Sequence, residues 1–326
     1  MLAFGYAWWL PPDASEHGGA IDNLIVMVHW FMAVLFVGWG FYFVYCLARF
    51  RDRPGHLAST KLPKAKASKV AEVAVIIVET ILLLGFSIPI WAQNRGAAHV
   101  PRADEALVVR VVAEQFAWNV HYPGSDGKFG GTDPGLMTKE NPVGLDREND
   151  AAAKDDIVTI NQLHVPVGRQ VVVHVSSKDV IHGFNLPFLR VKQDAIPGMQ
   201  TAVWFKALKT TDQVRDEMTN TYPARVEFMP VLKNHITMAD AKGADGSVVV
   251  EKYTPITAEI LEKLTAAGVA TVEASPAVPT EIACAQLCGL SHYRMRGYLN
   301  IDTPEQFEAW KAKEEEWLTG EDDEEY

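Results

Sequence analysis

The chain begins with long apolar runs and later changes to short alternating ones. Leu24 to Ala48 is 25 residues without Asp, Glu, Lys or Arg. At ~1.5 Å per residue, a helix of that length crosses a hydrocarbon core of ~30 Å. Val73 to Trp91 is a second apolar stretch of 19 residues, interrupted only by Glu79. A buried core helix competes for the second stretch, whereas the first is too long and uniform for that reading. The pattern therefore predicts membrane spans over about 24–48 and 73–91. From Leu107 the period shortens. Leu107–Ala113, Asp156–Asn161, Gln170–Val175 and Thr201–Phe205 read as short strands separated by turn-rich segments. Short strands with few helices predict a sandwich or a Greek-key barrel. Gly124–Asp155, rich in Gly, Asp, Asn and Pro, predicts one long loop, and its acidic residues lack the EF-hand spacing for calcium. Residues 206–279 read as an insertion with a short helix over Pro255–Gly268. Thr303-Pro304-Glu305-Gln306 predicts a helix start, with Thr as N-cap, Pro at N1 and Gln at N3. That helix runs into an acidic tail, Glu321–Glu325, which reads as solvated surface.

Charge orients this picture. The chain has 326 residues and a formal net charge of −11, with 48% apolar and 22% charged residues. At ~150 residues per unit the length allows about two folding units. The acidic balance argues against nucleic-acid binding, and the apolar fraction excludes a disordered chain. Three cysteines exclude a disulfide-built mini-protein. A mean hydropathy of −0.01 hides the contrast between the two spans and the rest. Between the spans lie Arg49, Arg51, Arg53, Lys61, Lys64, Lys66 and Lys69, against Asp52 alone. Positive loops stay cytoplasmic, which predicts a hairpin with both chain ends outside. Asp13, Glu16 and Asp22, with no Lys or Arg before the first span, agree. Trp8, Trp9 and Trp91 suit the membrane interface. The first span lacks a basic flank ahead of it and is long for a signal peptide, so it is expected to be retained. The acidic remainder is expected outside.

The strongest chemical signal is Cys284-Ala-Gln-Leu-Cys288-Gly-Leu-Ser-His292-Tyr-Arg-Met295. Two thiols, an imidazole and a thioether fall in one short segment, and His182 lies upstream in Asp179-Val-Ile-His182. Thiolate and thioether are soft donors, and imidazole suits copper. Cys288, His292, Met295 and His182 alone would make a mononuclear blue-copper site, which leaves Cys284 surplus. A second thiolate four residues away suggests two metals bridged by both sulfurs, an arrangement suited to electron transfer. A Cys284–Cys288 disulfide, a structural Cys₂His₂ zinc site and a nucleophilic cysteine are the other readings. Cys46, inside the first span, reads as a packed residue.

With those residues in hand, the sequence resembles subunit II of the haem–copper cytochrome c oxidases. The pattern C-x-E-x-C-x-x-x-H-x-x-M of that family stands here as Cys284 to Met295 with Gln286 in place of Glu. The D-V-x-H segment is Asp179 to His182, and x-D-A-I-P-G is Gln193 to Gly198. The resemblance implies a two-helix transmembrane hairpin followed by an all-β cupredoxin-like Greek-key domain with a short C-terminal helix. It implies this layout: 1–95, N-terminal segment and hairpin; 96–302, extracytoplasmic domain with insertions near 124–155 and 206–279; 303–326, C-terminal helix and acidic tail. It implies a dinuclear CuA centre of two coppers, bridged by Cys284 and Cys288 and ligated by His182, His292, Met295 and the backbone carbonyl of Gln286. CuA accepts electrons from a cytochrome c-type donor and passes them to haem in subunit I. Oxygen reduction and proton pumping belong to subunit I, so this chain is a non-pumping subunit of the enzyme. The implied location is a bacterial cytoplasmic membrane, with the copper domain periplasmic.

Several positions depart from the family or carry secondary roles. The family Glu at position 286 also helps to hold Mg²⁺, and the neutral amide of Gln286 disfavours that cation. The family's aromatic stretch W-Y-W is Phe116-Ala117-Trp118, so Phe116 and Trp118 are the aromatics through which electrons would come in, with ordinary packing as the alternative. No C-x-x-C-H occurs, so no haem is expected on this chain and the donor is a separate haem protein. Glu72 matches a family Glu at the mouth of a proton path. Glu79, seven residues on, shares its helix face near the bilayer centre, where an ionisable group is a functional candidate. A CuA-bearing nitric oxide reductase subunit and a membrane-anchored copper carrier are the competing functions. Quinol oxidases lack the copper ligands, and nitrous oxide reductase needs a second large domain.

Overall fold

The computed structural model describes residues 10–55 and 66–319. Trp8, Trp9, Lys61, Lys64 and the tail Glu321–Glu325 lie outside the described residues. The chain divides into two units, Gly19–His99 in one and Pro11–Gly18 with Val100 onward in the other.

In the first unit α1 (Gly18–Arg49) is one uninterrupted helix. The second helical stretch is α2 (Lys66–Ile81), a π-helical turn over Leu82–Ser87, and α3 (Ile88–Arg95). The wide turn has a local cause. Pro89 offers no N–H to the turn before it, and Ser87 Oγ donates to the Leu82 carbonyl at 3.1 Å. Gly18–Arg49 and Ser68–Arg95 are each long and apolar enough to cross a membrane. Both run past the predicted spans, because their polar ends continue the same helices.

The second unit is β-rich. Its strands, in chain order, are β1 (Ala106–Glu114), β2 (Ala117–Tyr122), β3 (Ile157–Ile160), β4 (Gln162–Pro166), β5 (Gln170–Ser177), β6 (His182–Leu186), β7 (Val191–Ala195) and β8 (Thr201–Lys206). Helix α4 (Thr211–Glu217) follows, then β9 (Asn220–Pro223), α5 (Met229–Leu232), β10 (His235–Thr237), β11 (Ala241–Lys242), β12 (Val248–Val250), α6 (Ala258–Ala266) and β13 (Thr271–Pro276). The chain returns through β14 (Glu281–Cys284) and β15 (Arg296–Asp302) to α7 (Pro304–Thr319). One five-stranded sheet runs β3-β2-β1-β5-β8 and the other β4-β15-β14-β6-β7. β1 with β5 and β15 with β4 are parallel, and the other pairs in these sheets are antiparallel. Alternation explains the core. Val109, Val111 and Ala113 of β1 and Val171, Val173 and Val175 of β5 point inward and are fully buried, meeting Leu163, Phe184, Leu186, Ile282 and Leu299 of the facing sheet. The result is a cupredoxin-like sandwich, as expected, with all four predicted strands in place.

Four additions surround the sandwich. The loop after Tyr122 is long, as expected, and is tied down by a buried pair. His121 Nε2 meets Asp156 Oδ2 at 2.6 Å, and Asp156 also accepts the N–H groups of Gly124 and Gly130. Residues 207–279 hold more than the single predicted helix. β10-β13-β9 form a separate small sheet, and Leu232, Ile256, Leu261, Leu264 and Val272 make a second core with α6. Helix α7 begins with the expected capping box, in which Thr303 Oγ1 accepts the Gln306 N–H and Gln306 Oε1 accepts the Thr303 N–H. The segment before α1 also belongs here. Ala14 exchanges backbone bonds with Phe188 and Leu208, and Arg190 donates to the Pro11 carbonyl at 2.7 Å.

Candidate metal centre

Two elements carry the soft donors. His182 opens β6, and Cys284 ends β14, its antiparallel neighbour. The segment after Cys284 then leaves the sheet and returns as β15, so Gln286, Cys288, His292 and Met295 lie on one connecting loop. Two glycines let this loop close on β6. A Cβ at Gly183 would sit 2.9 Å from the Gln286 nitrogen. Gly289 has φ +136°, a conformation other residues avoid, and a Cβ there would sit 2.7 Å from Gln115 Nε2.

The donors converge. Cys284 Sγ and Cys288 Sγ are 3.7 Å apart, and neither is in a disulfide. Cys284 Sγ is 3.2 Å from the Gln286 carbonyl oxygen. Cys288 Sγ is 3.5 Å from His292 Nδ1 and 3.7 Å from Met295 Sδ. His182 Nδ1 is 3.1 Å from Met295 Sδ. His182, Cys288 and Met295 are buried, His292 and Cys284 half-buried. Ligand atoms of His182, Cys284 and Cys288 all lie within 4.8 Å of one another, a grouping able to hold a metal ion. Burial, and next the hydrogen bond with Cys284, push the Cys288 thiol up to about 11. Two thiols, two imidazoles and a thioether gathered in one place suit a soft metal, and the His/Cys/Cys/Met cluster is consistent with a copper site.

The surroundings fix the ring of His182. Its Nε2 meets Asp179 Oδ1 at 2.8 Å, which turns Nδ1 toward the sulfurs. Trp118 is fully buried and edge-on to both His182 and Phe184, at centroid distances of 6.2 and 5.6 Å. Trp118 therefore lines the inner wall of the site rather than its surface. Phe116 is half-buried, packed against the main core with ring atoms close to Gly289 of the loop. Gln115 escaped the sequence reading. Its backbone N–H donates to Asp179 Oδ2 at 2.7 Å and its Nε2 donates to the Cys288 carbonyl at 2.6 Å. Only cross-strand placement joins those partners, so no sequence spacing pointed to it. The Gln286 side chain is exposed. Leu287, Leu290 and Tyr293 project from the loop at 77%, 94% and 77% exposure, an apolar rim around the donors. Glu72 and Glu79 lie on α2, in the other unit, where Ser68 Oγ donates to Glu72 at 2.9 Å.

A membrane-anchored cupredoxin-like protein with a cluster of soft donors able to hold a metal is the class defined by this fold and site. Comparison with known proteins narrows it. The family profile described as cytochrome c oxidase subunit II, periplasmic domain, matches residues 107–234. The alternative cytochrome c oxidase subunit 2 of Bradyrhizobium diazoefficiens is 31% identical over 204 residues, 62% of this chain and 71% of that protein. Cytochrome c oxidase subunit 2 of Thermostichus vulcanus is 23% identical over 322 residues, 93% of this chain and 78% of that protein. The solved periplasmic domain of cytochrome oxidase subunit II (CoxB) of Bradyrhizobium japonicum is 22% identical, covering 67% of this chain and 99% of that one at a TM-score of 0.34. The chain belongs to the cytochrome c oxidase subunit II family, as a subunit of a haem–copper terminal oxidase. The profile match includes His182 and stops before Cys284.

Proposed function

We propose that this chain is the electron-receiving subunit of a respiratory haem–copper cytochrome c oxidase and that Cys284, Cys288, His182, His292, Met295 and the Gln286 carbonyl hold a dinuclear CuA centre. The observation that carries this reading is the pair of unbonded sulfurs 3.7 Å apart, with His292 Nδ1 3.5 Å from one and a His182 ring nitrogen within 4.8 Å of both. Copper held by these residues would supply a one-electron carrier, with Cys284 and Cys288 as its soft donors. The protein's part is to hold the donors in place before the metal arrives. Asp179 orients His182, Gln115 ties the loop to the Asp179 segment, and Trp118 with Phe184 closes the inner side to water. Burial of His182, Cys288 and Met295 favours retention over exchange, which speaks against a copper carrier. The apolar rim at Leu287, Leu290 and Tyr293 suits contact with a partner, and the closeness of the Phe116 ring to Gly289 of the donor loop supports a part for Phe116 in electron entry.

The partners follow from that role: a haem-bearing subunit I with other oxidase subunits, and a cytochrome c-type donor. The chain alone would neither reduce oxygen nor pump protons. The positive segment between the spans supports a cytoplasmic position for that loop and a periplasmic one for the β-rich unit, at a bacterial inner membrane. Glu72 is then at the cytoplasmic end of α2, a position for proton uptake, with Glu79 further along the helix. Gln286 presents a neutral amide, a poor ligand for Mg²⁺. The full chain loaded with copper tests the assignment. Two coppers per chain with one unpaired electron shared equally in the EPR spectrum is the expected result. One copper with a blue-copper spectrum would remove Cys284 as a bridge and with it the assignment.

A further inference from the structure

The outer face of the sheet β3-β2-β1-β5-β8 carries a row of basic side chains. Register places Arg110 of β1 opposite His174 of β5 on one side and His121 of β2 on the other. Residues in such register share a face and stand close together, so like charges there repel. The long loop covers this face unevenly. Val143, Leu145 and Ala153 pack over Val112 and Val158. Beside them a groove of about 520 Å³ remains, lined by Arg110, His174, Ser176 and Lys178 on the sheet side and by Met137 and Val143 on the loop side.

Most charges in this row are already engaged. His121 is held by Asp156 at 2.6 Å, and Lys178 Nζ by Glu114 Oε2 at 2.6 Å. Arg110 differs. Its guanidinium stands over the Phe129 ring at 4.1 Å and makes no hydrogen bond among the described residues. Burial lowers its affinity for the proton, with the charge of Asp156 acting against that. His174 is likewise held below the usual histidine value, first by burial and then by the charge of Arg110. A guanidinium has several N–H donors, and those of Arg110, with no protein acceptor among the described residues, open onto the groove.

We propose that this groove is an anion-binding site, with Arg110 as the principal donor and His174 and Ser176 beside it, for the phosphate, sulfate or carboxylate group of a small molecule. The planar guanidinium matches two oxygens of such a group at once. The volume lies within the range of small-molecule sites, ~300–1,000 Å³, and exceeds the need of an inorganic ion. Met137 and Val143 give the opposite wall an apolar character, fit for the body of an organic anion. An inorganic oxyanion and an organic phosphate share the recognition chemistry, and a pair of probes separates them.

The test is calorimetric titration of the full copper-loaded chain in detergent, at constant ionic strength, with sodium sulfate and separately with phenyl phosphate. Saturable one-site binding is expected. Loss of a charged hydrogen-bond donor in Arg110→Gln should weaken it by roughly tenfold or more. His174→Gln should weaken it about severalfold, and Lys242→Gln, an exposed change in the insertion, should not. Tighter binding of phenyl phosphate assigns an organic anion and equal binding assigns the inorganic ion, and either upholds the site. No saturable heat from either probe overturns it. Wild-type affinity in Arg110→Gln also overturns it and leaves Arg110 as a clamp for Phe129 alone. If Arg110→Gln disturbs the loop, His174→Gln decides, because it leaves the Phe129 contact intact, and unchanged affinity there overturns the proposal.

Discussion

Asp179 connects the two segments that bring the soft donors together. One carboxylate oxygen takes the His182 ring and the other takes the Gln115 N–H, while the Gln115 side chain reaches the Cys288 carbonyl. Burial opposes ionisation of Asp179, but the bond from His182 and the N–H groups of Gln115 and Val180 outweigh it, holding the carboxyl below the usual carboxylate value. An ionised carboxylate behind a histidine fixes its tautomer and its direction. Asp179→Asn keeps the shape and removes the charge. It is expected to weaken copper binding by about 10–100-fold, the usual effect of removing such a partner. Competition against a copper chelator measures this. Undiminished affinity would mean that packing by Trp118 and Phe184 holds the ring unaided. The candidate donor positions were legible beforehand because five of them crowd into Cys284–Met295 and the sixth sits in its own short motif. Gln115 was not, because its partners are 64 and 173 residues away in sequence.

Among the elements, the loop over Gly124–Asp155 shows what a turn-rich composition conceals. Its carboxylates bond to its own backbone. Asp150 accepts the N–H of Gly131 and then of Ala152, and these bonds hold its carboxyl below the usual value. Asp155 is also held low, since bonds from Asp126 and Ser125 outweigh the burial that acts against them. A carboxyl lowered on folding adds stability above its unfolded value, and that stability is lost as pH falls through the folded one. Thermal unfolding of the full chain should therefore occur at lower temperature as pH drops from about 5 to about 3. Asp150→Asn, which does not titrate, should show a smaller drop over the same window. Equal drops would exclude Asp150 from the effect. Helix α7 gives a second case. Trp310 stacks on His164 at 4.2 Å and 7°, edges Tyr122 at 5.0 Å, and sits beside the buried Phe307. Trp310→Ala should cost about 3 kcal/mol, at the lower end for a large aromatic because Trp310 is only half-buried. Denaturant titration would show it as a lower midpoint. The start of this helix was legible from Thr303 and Gln306. Its docking on His164 was not, since that depends on β4 and β15 lying side by side.

At the scale of the whole molecule, the insertion divides the sandwich in sequence without dividing it in space. Its inner strands span only two to six residues, as in Ala241–Lys242 and Thr271–Pro276, too short to impose a readable period, and only α6 was visible from the pattern. Its ends, however, lie together. Asn220 is the register partner of Ala274, and the Ser275 hydroxyl donates to the Arg215 carbonyl at 2.9 Å. Helix α4 stays with the main core through Val214, and Thr211 Oγ1 accepts the Ile301 N–H. Everything from Thr221 to Glu273 thus hangs from the β9–β13 pair, to which β10 adds its own pairing with Ala274–Pro276, and it packs around an apolar cluster apart from the main core. Loops so attached are removable when a short turn can join their stems. Replacing 221–273 with an Asn-Gly turn between Asn220 and Ala274 is expected to leave copper stoichiometry and the EPR spectrum of the full chain unchanged. Loss of copper in that deletion would mean that the insertion supports the Cys284–Met295 loop through the strand leading into it. Retained copper with impaired reduction by a cytochrome c donor or impaired assembly with the haem-bearing subunit would place the role of the insertion at a partner surface.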